Sequence, residues 1–174
     1  MVMRLRRTRR TGLTVLVIAI ALIGSAWLAY ASPTPQGASY PVTAAKIKAK
    51  GNINDCVPAG KKQKCTAFSA SVTRKSTGKV SGSLKVTVAS TKTSYSFKSP
   101  AVTSCGSNVA VLDGTGGKGS GKANKGKTFS SHTTINNNGT PTFDTVITDS
   151  SNAVIYTTSG PQPVTGKFKI SISC

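Results

Sequence analysis

The chain is poor in acidic side chains. It contains no glutamate, and four aspartates oppose 23 lysines and arginines, so the formal net charge is +19 at neutral pH. Glycosidases use paired carboxylates, so the sequence offers little material for that chemistry. The four acids are Asp55, Asp113, Asp144 and Asp149.

Histidine, arginine and aromatic residues are also scarce. His132 is the only histidine, and Arg74 is the only arginine beyond residue 10. Arginine recognises phosphates in a bidentate geometry, whereas lysine acts as a strongly hydrated point charge. A lysine-rich surface with few aromatic residues disfavours sequence-specific nucleic-acid recognition and favours loose attraction to polyanions.

One long hydrophobic run is present, near the N-terminus. Residues 13–31 carry no charge and follow five arginines within residues 4–10. A basic segment, an apolar run and the small residues Ala29 and Ala31 are typical of a signal peptide cleaved before Ser32. The run is also long enough for a hydrophobic helix that crosses a membrane once, so a retained anchor is the alternative. In either case the rest of the chain is extracellular or on the cell surface.

The remainder divides into a linker and one domain. Residues 32–44 are rich in proline and predict an extended linker, which leaves residues 45–174 as the folded domain. That domain shows short alternating apolar and polar stretches separated by turn residues, and it lacks helical periodicity. About nine or ten such stretches predict an all-β fold, an antiparallel β-sandwich or flattened barrel.

The first predicted strand carries a lysine at every second position. Lys46, Lys48 and Lys50 therefore share one face of the strand. Charges on a strand are typical of a sheet edge that is protected against pairing with another chain. The alternative is that these lysines begin a basic stripe on the surface.

The four cysteines predict two disulfides, because an exported chain folds under oxidising conditions. Cys56 and Cys65 straddle a turn-rich segment, which favours a local bridge between them. Cys105 would then pair with Cys174 and hold the final strand. A zinc site is the alternative, but the chain has no CxxC pair, and we expect neither metal nor cofactor.

A glycine-rich segment imitates phosphate-binding motifs. Residues 114–119 match GxGxxG and residues 116–122 match GxxxxGK. Ala123 follows where the second motif needs serine or threonine, and no predicted helix begins there. We therefore expect residues 114–126 to form a mobile basic loop rather than a nucleotide site.

His132 is the candidate for an enzymatic alternative. With Asp144 or Asp149 and a serine it would complete a hydrolytic triad, so the alternative function is a small secreted hydrolase. No nucleophile-elbow motif accompanies it.

The C-terminal part carries a family resemblance. The segment F-D-T-V-I-T-D-S-S-N-A-V-I-Y, which begins at Phe143, and the later V-T-G-K-F-K-I-S-I are similar to the closing strands of post-COAP-like domains of secreted bacterial proteins. The segment V-T-S-C-G-S-N-V-A-V-L-D-G-T-G resembles that family's approach to its GTG turn, and Gly51 and Phe68 fit its opening. The resemblance covers residues 51–173 and implies an exported all-β module without an assigned activity.

These features together predict a non-enzymatic exported or membrane-anchored envelope module. Its basic surface would associate with an anionic envelope polymer or polysaccharide, or non-specifically with nucleic acid, and residues 13–31 alone would contact a membrane. A structural spacer whose lysines only maintain solubility is a further alternative. The candidate polyanion contacts form three groups: Lys46, Lys48 and Lys50; Lys61, Lys62 and Lys64; and Lys118, Lys122, Lys125 and Lys127.

Overall fold

The computed structural model describes residues 41–174, so the predicted leader and most of the predicted linker lie outside the described residues. Within this part, no helix has the length and apolar character needed to span a membrane. The strands are β1 (Ala44–Ala59), β2 (Lys62–Arg74), β3 (Val80–Val88), β4 (Thr93–Lys98), β5 (Ala101–Val102), β6 (Val109–Gly119), β7 (Phe129–Asn136), β8 (Thr142–Asp149), β9 (Val154–Thr157) and β10 (Gln162–Ser173), and a short 3-10 turn spans Lys122–Asn124.

The ten strands form two antiparallel sheets that are joined along both sides. The first sheet has the order β10-β1-β2-β3-β4, and the second has the order β6-β7-β8-β9 with β5 beside β6. Short pairings of β4 with β6 and of β8 with β10 close eight of the strands into a barrel. The prediction of an all-β antiparallel fold with about ten strands is confirmed, and its architecture is a closed barrel.

Strand β1 lies inside the first sheet, between β10 and β2. It pairs with β10 along Ala44–Ile53 and with β2 on its other side. The prediction of an edge strand is therefore wrong, because the partner on one side comes from the far end of the chain. Ile47 and Ala49 face the core, while Lys46, Lys48 and Lys50 face solvent. Protection of a free edge does not explain those lysines.

Aromatic rings link the two sheets through the core. Phe68 of the first sheet stacks on Phe143 of the second, with ring centroids 4.1 Å apart. Tyr95 meets Phe129 edge to face at 5.0 Å. Such pairs add to the free energy gained by burying the rings. The two sheets therefore share one hydrophobic core.

Two glycines within the segment that matches the phosphate-loop motifs have a packing role. Strand β6 continues to Gly119, so the expectation of a loop over residues 114–126 is wrong for its first part. A Cβ at Gly114 would lie 2.7 Å from the Phe97 ring, and one at Gly117 would overlap that ring. These glycines leave room for a buried phenylalanine, and the segment lies in a strand instead of cradling a phosphate.

Both predicted disulfides are confirmed. Cys56 and Cys65 face each other across β1 and β2, nine residues apart in sequence. Cys105 lies between β5 and β6 and is joined to Cys174, 69 residues later, after the end of β10. The second bridge therefore connects the two sheets, whereas the first lies within one hairpin.

Candidate polyanion-binding face

The outer surface of the first sheet concentrates the basic residues. Its five strands contain nine lysines and Arg74 against a single acid, Asp55. In the second sheet, strands β5, β7, β8 and β9 and β6 up to Gly117 contain three aspartates and neither lysine nor arginine. The described part of the molecule is therefore electrically polarised. The nine lysines, which define the basic face, are Lys46, Lys48, Lys50, Lys62, Lys64, Lys85, Lys98, Lys167 and Lys169.

Four lysines of the basic face form a compact group, here named the lysine tetrad. Lys48 on β1 is directly opposite Lys169 on β10, and Lys50 is directly opposite Lys167. All four side chains are exposed. Directly opposite residues lie about 5 Å apart, and like charges in that position destabilise a sheet. The tetrad therefore costs stability unless an anion lies beside it.

A second arrangement crosses the sheet, here named the lysine–serine row. It consists of Lys50, Ser69, Lys85, Ser96 and Lys118, on β1, β2, β3, β4 and β6 respectively. Each residue is the register partner of the next, and all five are exposed. Lysine and serine thus alternate across five neighbouring strands, with about 10 Å between successive lysines, which is twice the strand separation.

Two adjoining grooves follow the basic face. Their volumes are about 560 and 340 Å³, and both are lined by Lys50, Ser69 and Lys167. Lys85 lines only the larger groove, and Lys48 lines only the smaller one. The tetrad and the row therefore meet at a concave part of the surface, where a chain-like ligand would contact several lysines at once.

The concavity depends on the close approach of β1 and β10. Gly51 and Gly166 are directly opposite each other in the register and line the larger groove. A Cβ at Gly51 would lie 2.6 Å from the carbonyl oxygen of Thr165, and one at Gly166 would overlap the carbonyl oxygen of Lys50. Only glycine fits at these positions, because the clashing atoms belong to the backbone of the paired strand.

The lysine charges of the basic face have no acidic partner. Within residues 41–174, the only ion pair shorter than 4.0 Å joins His132 to Asp113. Asp55 lies on β1, but its Oδ2 accepts hydrogen bonds from the hydroxyls of Thr66 and Tyr156, each at 3.1 Å. Burial raises the pKa of Tyr156 to about 12, and the bond to Asp55 acts in the same direction. The one acid of the first sheet's strands therefore accepts hydrogen bonds from within the molecule and forms no ion pair with the basic face.

The other acids are also engaged within the second sheet and its turns. Asp144 accepts a hydrogen bond from the Thr158 hydroxyl. Asp149 Oδ1 accepts bonds from the hydroxyl and amide of Ser151 and from the amide of Ala153, which closes the turn between β8 and β9. The bonds from Ser151 lower the pKa of Asp149. Within residues 41–174, neither aspartate forms an ion pair with a lysine of the basic face.

His132 forms a pair on the outer face of the second sheet. Its Nδ1 lies 2.6 Å from Asp113 Oδ1, and Asp113 Oδ2 accepts a 2.9 Å bond from the Thr103 hydroxyl. A triad with Asp144 or Asp149 is therefore wrong. The His132 side chain is 65% exposed, and no hydroxyl or thiol within residues 41–174 hydrogen-bonds to it. The pair lacks the positioned nucleophile that hydrolysis by this route requires.

The structure separates the predicted lysine contacts into different places. Lys46, Lys48 and Lys50 belong to the basic face, and Lys118 belongs to the row. Lys62 and Lys64 also belong to the basic face, at the start of β2, and Lys61 precedes them in the β1–β2 turn. Lys122, Lys125 and Lys127 lie in the β6–β7 connection. All of these lysines are exposed.

Four lysines of the basic face were missing from the predicted contacts. Lys85, Lys98, Lys167 and Lys169 occupy outward positions in alternating strands, and that alternation was a signal for their exposure. Their neighbours come from the strand register, which the sequence pattern does not reveal.

Comparisons with protein-family models, with curated proteins and with solved structures found no match. The resemblance to post-COAP-like domains therefore stays a prediction. The functional argument depends on the residues of this chain alone.

Proposed function

We propose that the protein is a non-enzymatic, exported or membrane-anchored module of the cell surface that binds anionic polymers through its basic face. The lysine tetrad is the observation that carries this proposal. Four exposed lysines lie side by side on the paired strands β1 and β10, and no described carboxylate is within ion-pair distance of them. An anion that binds there relieves the repulsion, so the folded state gains stability from binding.

The distribution of charge favours binding over a role in solubility alone. A spacer that needs lysines only to stay soluble gains equally from lysines on any exposed strand. Strands β5, β7, β8 and β9, and β6 up to Gly117, contain none, although the second sheet has exposed positions such as His132, Val154 and Thr157. Concentration on one face is what attraction to an extended polyanion requires.

The proposed binding is electrostatic and reversible. Exposed charges act over about 8 Å at physiological salt, so added salt weakens their attraction for a polymer. Each anionic group neutralised releases a condensed counterion, which makes the affinity for a dense polyanion fall steadily with salt concentration. Lysines without neighbouring aromatic rings give no preference for particular bases.

The extracellular location is part of the proposal. Both disulfides are compatible with an oxidising compartment, and the resemblance to secreted post-COAP-like domains favours the same location. The intact mass of the exported protein distinguishes the two forms of the N-terminus. A chain that begins at Ser32 supports a cleaved signal peptide, and a membrane-bound chain that retains Met1 supports the anchor.

Salt-gradient elution from heparin resin tests the binding. The full-length chain in a non-ionic detergent is compared with a tetrad variant, in which Lys48, Lys50, Lys167 and Lys169 become glutamine. A matched variant carries the same change at four lysines outside the first sheet's strands: Lys61, Lys122, Lys125 and Lys127.

We expect the wild-type chain to be retained and both variants to elute earlier, the tetrad variant at the lower salt concentration. The larger shift follows because adjacent charges act together on one segment of polymer. Passage of the wild-type chain through the resin at low salt would contradict the proposed binding and favour a structural spacer whose lysines only maintain solubility.

A further inference from the structure

The lysine–serine row has a charge spacing that distinguishes among polyanions. Lys50, Lys85 and Lys118 lie on alternate strands, with Ser69 and Ser96 on the strands between them. Successive lysines are therefore about 10 Å apart. A single strand of B-form DNA presents a phosphate about every 3.4 Å along the helix axis. The row would leave most phosphates of such a strand without a partner.

The serines add a second requirement for the ligand. Both hydroxyls are exposed, and within the described residues neither bonds to another side chain. A hydroxyl donates one hydrogen bond and accepts two, so it can pair with a sugar hydroxyl in either role, whereas a lysine ammonium group only donates. The larger groove, lined by Lys50, Ser69 and Lys85, also exposes polar groups of Asn52 and Thr87.

The shape of the face also favours a flexible single chain. Neighbouring strands rotate by about 20–25° relative to one another, so the row follows a twisted surface. A DNA duplex has a persistence length of about 50 nm and is stiff on this scale, so it touches only part of the row. No exposed aromatic side chain lies in the row, so unpaired bases have nothing on which to stack.

We infer that the lysine–serine row binds a linear acidic polysaccharide whose anionic groups are separated by uncharged sugar units. The chain lies across strands β1, β2, β3, β4 and β6. The lysines pair with the anionic groups, and Ser69 and Ser96 hydrogen-bond to the sugars between them. This inference rests on the proposed polyanion binding and specifies its ligand class and its site.

Two row variants and one matched variant test the site. The first row variant is K50Q/K85Q/K118Q, and the second is S69A/S96A, which leaves the charge unchanged. The matched variant K61Q/K79Q/K125Q removes three exposed lysines outside the row. Thermal unfolding followed by circular dichroism confirms that each variant is folded.

Binding of the full-length chain is measured in non-ionic detergent by fluorescence anisotropy. One labelled probe is a hyaluronan oligosaccharide, in which carboxylated and neutral sugars alternate, and the other is a short DNA duplex. We expect K50Q/K85Q/K118Q to raise the Kd for hyaluronan at least about tenfold, and the matched variant to raise it no more than about threefold. We expect S69A/S96A to raise it about threefold while leaving the Kd for DNA unchanged.

The outcomes separate this inference from the proposed function. Equal weakening by the row and matched lysine variants would overturn the site but keep general polyanion binding. Tighter binding of DNA than of hyaluronan, with S69A/S96A without effect on either, would overturn the ligand class in favour of nucleic acid. Absence of binding to both probes at low salt would overturn the proposed function itself.

Discussion

In both sheets of the barrel, inward-facing and outward-facing residues alternate along the strands, but the two sheets differ in which residues occupy those positions. On the outside, the first sheet carries the lysine tetrad and the row except for its last member, Lys118 of β6. The second sheet carries the Asp113–His132 pair and mostly neutral side chains. Outward positions contribute little to folding, so their residues are free to vary with function. The concentration of charge on one sheet is the basis of the proposed binding face.

The interiors differ as well. The inward positions of the first sheet are almost entirely apolar, with Thr66 as a buried polar residue. The second sheet buries Ser131, Thr133 and Thr145, and the last two join through a 2.7 Å hydrogen bond between their hydroxyls. Among residues 41–174, the buried Ser131 hydroxyl has no hydrogen-bond partner. The second sheet thus depends partly on buried polar contacts, and the first depends on apolar packing.

The largest expected effect comes from the residue that packs the sheets together. Phe97 of β4 is fully buried against Gly114 and Gly117 of β6. Phe97→Ala should lower the free energy of unfolding by about 3–5 kcal/mol, because two glycines cannot fill the cavity. Urea unfolding followed by circular dichroism measures the loss. Lys98→Gln on the same strand should change it by less than about 0.5 kcal/mol, and a loss below that size for Phe97→Ala would contradict the shared core.

The next comparison concerns the two disulfides. Cys105–Cys174 joins the sheets and closes the longer loop, 69 residues against nine for Cys56–Cys65. In the chain-entropy model, loss of the long bridge costs about 4 kcal/mol and loss of the short one about 3 kcal/mol. Unfolding of the paired serine variants C105S/C174S and C56S/C65S measures both. A larger loss for the short bridge would show that the sheets do not need this connection.

Buried hydroxyls of the second sheet should show a smaller, coupled effect. Thr133→Val leaves the Thr145 hydroxyl buried without its partner, so we expect a loss of about 1–3 kcal/mol. The double variant T133V/T145V removes both hydroxyls and should cost less than the single one. Thr73→Val on the exposed side of the first sheet serves as the control. Additive losses in the double variant would mean that the hydrogen bond contributes nothing.

The smallest predicted change is a gain. Replacing Lys48 and Lys169 by glutamine removes one directly opposed pair of like charges, so stability should rise by about 0.2–1 kcal/mol at low salt. The gain should vanish near 1 M salt, where the screening length falls to about 3 Å. The loop variant K122Q/K125Q is the control, with no such opposed pair. A loss of stability in K48Q/K169Q would contradict the claim that the tetrad is strained by repulsion.

Local features of this fold were readable from the sequence, and long-range neighbours were not. The Asn138-Gly139 turn and the Asp149 turn mark hairpins that the structure contains, because their chemistry acts over a few residues. The central position of β1 depends on β10, which comes from the other end of the chain. The lysine–serine row likewise takes one residue from each of five strands, so no contiguous sequence pattern predicts it. Gly117 lies within a segment that matches a phosphate-loop motif, but its role is to leave room for the Phe97 ring. That role is not visible in the sequence, because Phe97 lies on another strand.

The account's central claim is that the first sheet's outer face holds the ligand. The direct measurement is a two-dimensional amide NMR titration of the full-length chain in detergent micelles with a hyaluronan oligosaccharide. We predict that the amide chemical-shift changes centre on Lys50, Ser69 and Lys85, and that the amide signals of His132 and Asp144 do not shift. Changes of equal size on both sheets, or changes centred on His132, would contradict the account.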